Sequence, residues 1–312
     1  MSESFAIITP SYRGDFSAVL ELCASIDAYV ADDFQHFLVI PRSDLKFFAP
    51  LRSSRRLVIT KEELLSDVQF RKLPIPTRIP FFQNEFRFKE QWYQPRLGRR
   101  SGWLIQQLIK LSSPQITSKE ICLFIDSDIV LVRPFSIREM MTGRRLHLNV
   151  HSRGAHLATH RNWLKSAAAL LHTELPSNLD INFIGPFVPW SNAIAAALQF
   201  HLATVNEIDW RLAVAREKTV SEYILYGLFA QEIAKAGDQL IFKDLSSFTH
   251  TVWVESDLTR IDHYIAGLSW EHAAVCLQST LPLTPPERRN LIDAMKRKRD
   301  EDLQAKNETS SL

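Results

Sequence analysis

Asp126 and Asp128 are the residues of this chain best placed to do chemistry. They close the run Ile121-Cys122-Leu123-Phe124-Ile125-Asp126-Ser127-Asp128, in which five apolar residues of strand-forming type lead straight into two carboxylates spaced i and i+2. That pattern is expected of a buried strand delivering acid groups to its end. Carboxylates beside a hydrophobic core are costly unless a cation or hydrogen-bond donors compensate them. A divalent ion such as Mn²⁺ or Mg²⁺ does so, because hard cations prefer oxygen ligands and are commonly shared between one or two carboxylates and substrate phosphates. The spacing therefore predicts a metal and phosphate site. The bland alternative for so short a tripeptide is an exposed turn.

The elements that must position these groups can be read on both sides. Phe5-Ala6-Ile7-Ile8-Thr9 is a strand that runs into the polar loop Pro10 to Asp15; Val19, Leu20, Leu22, Cys23 and Ile26 recur at helical spacing, and Phe37 to Ile40 is a second strand. Leu57 to Thr60 is a third short strand. A helix over Trp103 to Leu111 places Leu104, Leu108 and Leu111 on one face and Gln106, Gln107 and Lys110 on the other. Further helices are expected over Asn162 to His172, from a Ser191 cap to Val205, and from a Ser221 cap to Lys235. Leu240 to Phe242 and Thr251 to Val254 read as late strands. Strands alternating with helices predict an α/β fold with a mainly parallel, Rossmann-type central sheet flanked by helices. Ligands of such sheets gather beyond the strand carboxyl ends, where both Thr9 to Asp15 and Asp126 to Asp128 would lie.

Bulk properties narrow the classes. The 312 residues are 46% hydrophobic and 23% charged, enough for a sizeable core, and the net charge of +2 argues against general nucleic-acid binding. Nine glycines are few, and neither G-x-G-x-x-G nor G-x-x-x-x-G-K-[ST] occurs, so phosphates must be held by other means. Basic residues concentrate between Arg71 and Arg100, where Arg71, Lys72, Arg78, Arg87, Lys89, Arg96, Arg99 and Arg100 face only Glu85 and Glu90. This stretch has no periodicity and reads as a long loop or insertion, either favouring an anionic substrate or surface or merely solvated. Cys23, Cys122 and Cys276 are far apart and odd in number, which suggests buried thiols in a reducing compartment. Without a signal-like start or a membrane-length apolar run, a cytoplasmic location is expected. The tail from Glu287 combines Lys296 to Arg299 with Leu291, Ile292 and Met295; a fraying solvated helix is expected, with peripheral contact at the inner membrane face as the alternative. One domain over 1–286 is expected, with 287–312 as a charged tail.

Together, Phe124-Ile125-Asp126-Ser127-Asp128, Thr9-Pro10-Ser11-Tyr12, Gly102-Trp103 with Gln106, Gln107 and Lys110, and Ser221-Glu222-Tyr223-Ile224-Leu225-Tyr226-Gly227 resemble a bacterial GT-A-fold glycosyltransferase. More narrowly they resemble the DUF6492 group associated with polysaccharide synthesis, over roughly Phe5 to His250. The resemblance implies a GT-A-like fold and a metal-dependent transfer from a nucleotide-sugar donor, by default a UDP-sugar, to a hydroxyl of a cell-surface glycan or lipid-linked acceptor. It implies that Asp126 and Asp128 act as the DxD motif, that Thr9, Pro10, Ser11 and Tyr12 hold the nucleoside, and that His250 completes the coordination of Mn²⁺ or Mg²⁺, the alternative for His250 being a core histidine hydrogen-bonded to backbone. It also divides the domain into a nucleotide-binding part over about 1–135 and an acceptor part over about 136–286. Gln107, Lys110 and Ser127 join the donor site.

Several residues carry two readings. Glu222 is either the general base or acceptor ligand of the transfer, or a favourable charge at a helix start. Lys110 and Arg13 are supplementary cations or surface residues. Tyr223, Tyr226, Trp190 and Trp210 either stack on sugars or fill the core. His147, His151, His156 and His160 suggest zinc spacing, but H-E-x-x-H is absent, so lining of a sugar pocket is preferred. A haloacid-dehalogenase-type phosphatase is disfavoured by the apolar Ile129-Val130-Leu131 after the second aspartate. A sugar nucleotidyltransferase lacks its Gly-rich basic loop here, and a non-catalytic nucleotide- or carbohydrate-binding scaffold is the remaining alternative.

Overall fold

Phe5–Pro10 (β1) is buried at every position, as a strand covered on both faces must be. The computed structural model describes residues 4–75, 78–81, 84–87 and 90–309, with side chains described outside 76–89, 305 and 307–309. After β1 come the helix Phe16–Tyr29 (α1) and the strands Phe34–Ile40 (β2) and Arg56–Thr60 (β3). The helix Gly102–Leu111 (α2) leads to the strands Ile121–Ile125 (β4) and Ile129–Leu131 (β5). Then follow the helix Ala158–Leu170 (α3), the strand Phe187–Ser191 (β6) and the helices Asn192–Asn206 (α4) and Glu222–Leu228 (α5). The strands Thr249–Val252 (β7) and Ala274–Leu277 (β8) and the helix Pro285–Thr309 (α6) complete the chain.

The central sheet has the order β6-β4-β1-β2-β3. β1 runs parallel to β2 and β4, β2 parallel to β3, and only β6 is antiparallel, against β4. The expected mainly parallel α/β sheet is what the chain forms. All five residues of β4 are buried, and a fully buried Leu, Ile or Phe contributes roughly 1.5–3 kcal/mol, so the register that puts Asp126 past the strand end is held by packing. A second sheet, β5-β8-β7, pairs β5 antiparallel and β7 parallel to β8.

Helix boundaries depart from the sequence pattern where caps leave no trace in it. α3 opens at Ala158 behind Leu157, which has no capping side chain, and ends before His172 at φ 50°. α5 widens into a π turn over Phe229–Ile233 and stops at Lys235, φ 47°. Within α5, Gly227 lies against the ring of Phe183; a Cβ there would stand 2.2 Å from Cγ, which is why the tight approach takes glycine.

Two expectations are corrected. The basic stretch is no simple loop: Arg71–Lys72, Gln91–Gln94 and Gly98–Ser101 form a small antiparallel sheet, and Arg100 donates to the Ala215 carbonyl at 2.6 Å, so it ties elements together. Arg96 and Arg99 remain exposed, while the side chains of Arg78, Arg87 and Lys89 lie outside the described residues. Nor does α6 fray in solvent. Its Ile292 and Met295 are buried with Val130, Val132, Val275 and Leu277, and Leu291 packs on the same cluster. The apolar residues that a membrane-surface helix would insert are thus used internally. Among the described residues no helix is long and apolar enough to cross a membrane.

Candidate active site

From β1 the sheet grows toward β2 and β3 on one side, and the chain then returns to lay β4 on the other. This reversal opens a crevice at the carboxyl ends of β1 and β4. β1 sends into it the loop from Pro10 to Asp15, and β4 sends Asp126 to Asp128. Ser127 Oγ joins the two by donating to Asp15 Oδ2 at 3.0 Å. A cavity of about 330 Å³ lies there, its walls including Pro10, Asp15, Trp103, Lys110, the Asp126–Asp128 turn, Trp163, Glu222, Gln278 and Ser279.

Lys110 organises the floor. Its ammonium lies 2.9 Å from Asp126 Oδ1 and 3.1 Å from Glu222 Oε1, and donates to the Tyr223 hydroxyl at 2.9 Å. The side chain is buried because α5 packs across the face of α2 that the leucine pattern leaves polar. Burial opposes its charge, yet Asp126, Tyr223 and Glu222 outweigh that and hold its pKa well above the usual lysine value. Glu222 is likewise buried; desolvation pushes its carboxyl up and Lys110 pulls it back. The start of α5 is capped from another helix: Ser221 makes no side-chain cap, and Gln107 Oε1 accepts from the Glu222 N–H at 3.0 Å. Glu222 is therefore an interior ion-pair member and not a solvent-facing helix-start charge.

Asp128 is fastened from the far end of the chain. Ser279 N–H donates to its Oδ2 at 3.0 Å, Cys276 Sγ approaches Oδ1 at 3.7 Å, and Arg288 of α6 donates to its carbonyl at 2.6 Å and also to that of Leu277. Burial, then the charge of Asp126, push its pKa up to about 6, against the Ser279 and Arg288 contacts. Burial also raises Asp15, with the Ser127 hydroxyl opposing. Four carboxylates, Asp15, Asp126, Asp128 and Glu222, thus gather around one cation on the crevice wall, Lys110, while Arg288, which also pairs with Glu21 at 3.4 Å, stands behind Asp128. The excess negative charge, carried entirely on oxygen donors, fits a hard divalent cation. Asp126 keeps about 40% of its side chain exposed, with one oxygen on Lys110. Among the described residues no group of three or more His, Cys, Asp or Glu could by itself hold a metal, so an ion here would rest on Asp126 and Asp128 and take its other ligands from substrate and water.

The expected donor residues divide. Pro10 faces the crevice, and Tyr12 and Arg13 line an adjoining cavity of about 330 Å³ that shares Asp15, Gln278 and Ser279 with it. The Thr9 and Ser11 side chains are fully buried; Thr9 Oγ1 is 3.1 Å from His36 Nε2, so neither reaches the crevice as placed. Gln107 borders the cavity but serves α5 as its cap. Arg13 stacks on Phe47 at 4.0 Å. Tyr223 borders the site, whereas Tyr226 stacks on Trp190 at 4.1 Å within the core and Trp210 is also core. Trp103 and Trp163 stack at 6.0 Å on the wall of the crevice.

The structure places His250, expected as a metal ligand or as a core histidine bonded to backbone, on the wall of a different cavity. It does not line the aspartate crevice, and its Nε2 is bonded to the Tyr264 carbonyl at 2.7 Å. β7 is separated from β5 by β8, so the residues that follow β8, Gln278 and Ser279, take the place beside Asp128. Of the histidine set, His151 lines that second cavity, His147 bonds Thr142, His160 packs edge-on to Trp163 and His156 is exposed. Asp15, Trp163, Gln278, Ser279 and Arg288 were not singled out by sequence. Asp15 alone carried a signal, its position in the loop after β1; the others arrive through distant pairings.

Residues 6–299 match the family of unknown function DUF6492, and the chain belongs to that family. Comparison with curated proteins finds no match. Among solved structures, the galactosyltransferase LgtC in complex with donor and acceptor sugar analogues is similar at 10% identity over 93% of this chain and 95% of that one, with a TM-score of 0.45. Mouse xyloside xylosyltransferase 1 is similar at 12% identity over 90% and 100%, with a TM-score of 0.43. The bifunctional glycosyltransferase WbbM is similar at 9% identity over 95% of this chain and 50% of that one, with a TM-score of 0.49.

Proposed function

We propose that the protein is a metal-dependent glycosyltransferase that moves a sugar from a nucleotide-sugar donor to a hydroxyl of a glycan or glycolipid acceptor. The observation that supports this reading is the carboxylate pair Asp126 and Asp128 at the switch point of a parallel sheet, where nucleotides and phosphates gather in such folds. The DxD resemblance supports it independently of that geometry. Mn²⁺ or Mg²⁺ held by Asp126 and Asp128 would neutralise charge that develops on the departing diphosphate. Lys110 fixes Asp126 and Glu222 in one place while staying out of water itself. Arg288 and the Ser279 N–H fix Asp128. Pro10, Tyr12 and the stacked Trp103 and Trp163 offer apolar faces to the donor's rings.

Glu222 is the group of the crevice suited to take a proton from an acceptor hydroxyl, since burial raises its basicity and Lys110 steadies the carboxylate. UDP-sugars are the default donors. The test is a panel of UDP-, GDP- and CMP-sugars with and without Mn²⁺: at least one should be hydrolysed or transferred only with metal. Metal-independent behaviour across the whole panel, with no binding of any nucleotide, would refute the reading.

A further inference from the structure

The second cavity encloses about 730 Å³, within the range that holds small organic ligands, and shares the wall residue Ile184 with the aspartate crevice. Its polar lining is set for a ligand that both gives and takes hydrogen bonds. Thr249 is 7% exposed, and its Oγ1 has no hydrogen-bond partner among the described residues, an unfavourable state for a buried hydroxyl. Beside it the rings of His250 and His272 meet edge to face, 5.0 Å between centroids.

The tautomer of each ring follows from its partner. The Tyr264 carbonyl can only accept, so His250 carries its proton on Nε2 and presents Nδ1 as an acceptor. The Ser269 N–H, 3.0 Å from His272 Nδ1, can only donate and lies closer than the Ser269 carbonyl at 3.3 Å, so His272 carries its proton on Nε2 and presents a donor. Burial, and for His250 the neighbouring His272, push both rings below the usual histidine pKa, which keeps the pair neutral at pH 7. One donor and one acceptor side by side match a hydroxyl, which does both; a carboxylate or phosphate only accepts. Arg153, the one cation of the wall among the described residues, is answered by Asp244 at 3.6 Å and bonds Ser246. Trp253, 49% exposed, supplies a broad apolar face.

We infer that this cavity binds a neutral glycoside, with one sugar hydroxyl between His250 and His272, a second on Thr249, and a ring face against Trp253. That this glycoside is the acceptor rests on the glycosyltransferase reading; that it binds does not.

The two are separable by titrating the full chain, without nucleotide or metal, with maltose, lactose and cellobiose, and with sialyllactose and a glucuronide as anionic arms, by calorimetry and ligand-observed NMR. At least one neutral disaccharide should bind, Thr249→Val and Trp253→Ala should each weaken it about tenfold, and Asp128→Asn should leave it unchanged. Failure of every neutral disaccharide, tighter binding of an anionic one, or affinity unmoved in both variants would overturn the inference. Metal-dependent nucleotide-sugar turnover measured on the same preparations assigns the fault. Turnover without glycoside binding sinks this inference alone, and glycoside binding without turnover sinks the acceptor role and leaves a glycan-binding cavity.

Discussion

The two cavities share Ile184 and little else. In the aspartate crevice the polar groups are tied across distant elements: Lys110 to Asp126 and Glu222, Ser127 to Asp15, Arg288 to the turn at Asp128. In the second cavity the wall is mostly neutral and one buried polar atom, Thr249 Oγ1, has no partner among the described residues. The difference teaches what each can recognise. A site whose excess charge is negative and whose donors are oxygens suits a cation and the phosphates it carries, as proposed, whereas neutral donors and acceptors beside an aromatic face suit hydroxyls.

The sharpest way to break the contrast is at Glu222. Glu222→Gln keeps shape but removes basicity, and a general-base role predicts a loss of transfer on the order of 10²–10⁴-fold with donor binding preserved. Transfer within a few-fold of wild type at saturating acceptor would leave Glu222 as a partner of Lys110 only. Stability should separate the regions next. Lys110→Met leaves Asp126 and Glu222 without their cation and should cost about 3–5 kcal/mol in chemical denaturation, as breaking a buried ion pair does. Thr249→Val removes an unpartnered buried hydroxyl and should not lower stability. Equal losses in both variants would erase the distinction between a paired and an unpaired cavity.

A smaller effect is expected at the outer support of Asp128. Arg288→Met should weaken Mn²⁺ affinity roughly 10–100-fold, as loss of outer-shell partners does, and leave glycoside binding in the second cavity unaltered. An unchanged metal titration would confine Arg288 to fastening α6. The smallest effect concerns His36, buried beneath β1. Its Nδ1 accepts from Arg56 Nε at 3.0 Å, so the ring is neutral with its proton on Nε2, toward Thr9. Burial, then Arg56, hold its pKa well below the usual value. Its stabilising contribution is complete above about pH 6.5, where the unfolded ring is also neutral. It is lost as pH falls toward the folded pKa, because the unfolded chain then binds a proton that the native chain refuses, with a limiting slope of about 1.4 kcal/mol per pH unit. Denaturation midpoints from pH 7 to 5 should fall more steeply in wild type than in His36→Gln; identical slopes would mean that Thr9 is held otherwise.

What was legible in the sequence is what depends on local pattern. The unbroken apolar run into Asp126 dictates a buried strand with carboxylates at its end, and β1 with its polar loop is dictated in the same way, so the crevice's two rims follow from local pattern alone. The remainder depends on pairings across long stretches of chain. Lys110 sits on the polar side of an amphipathic helix, and nothing in that pattern announces that Glu222 and Tyr223 will cover it. Gln278 and Ser279 reach Asp128 only because β8 inserts between β5 and β7, which is also what carries His250 away from the aspartates. The highly charged α6 looked solvated because its polar residues outnumber Ile292 and Met295, yet those two and Arg288 suffice to fasten it.

The most direct test of a cation-centred crevice is a Mn²⁺ titration of donor turnover, with the nucleotide sugar held at a fixed concentration, comparing wild type with Asp128→Asn. Removing one ligand charge while keeping the side chain's shape should cost more than the 10–100-fold expected for an outer partner, with the thermal unfolding transition retained. Superimposable titrations, with full turnover of the variant at limiting Mn²⁺, would contradict the account and take Asp128 out of the metal site.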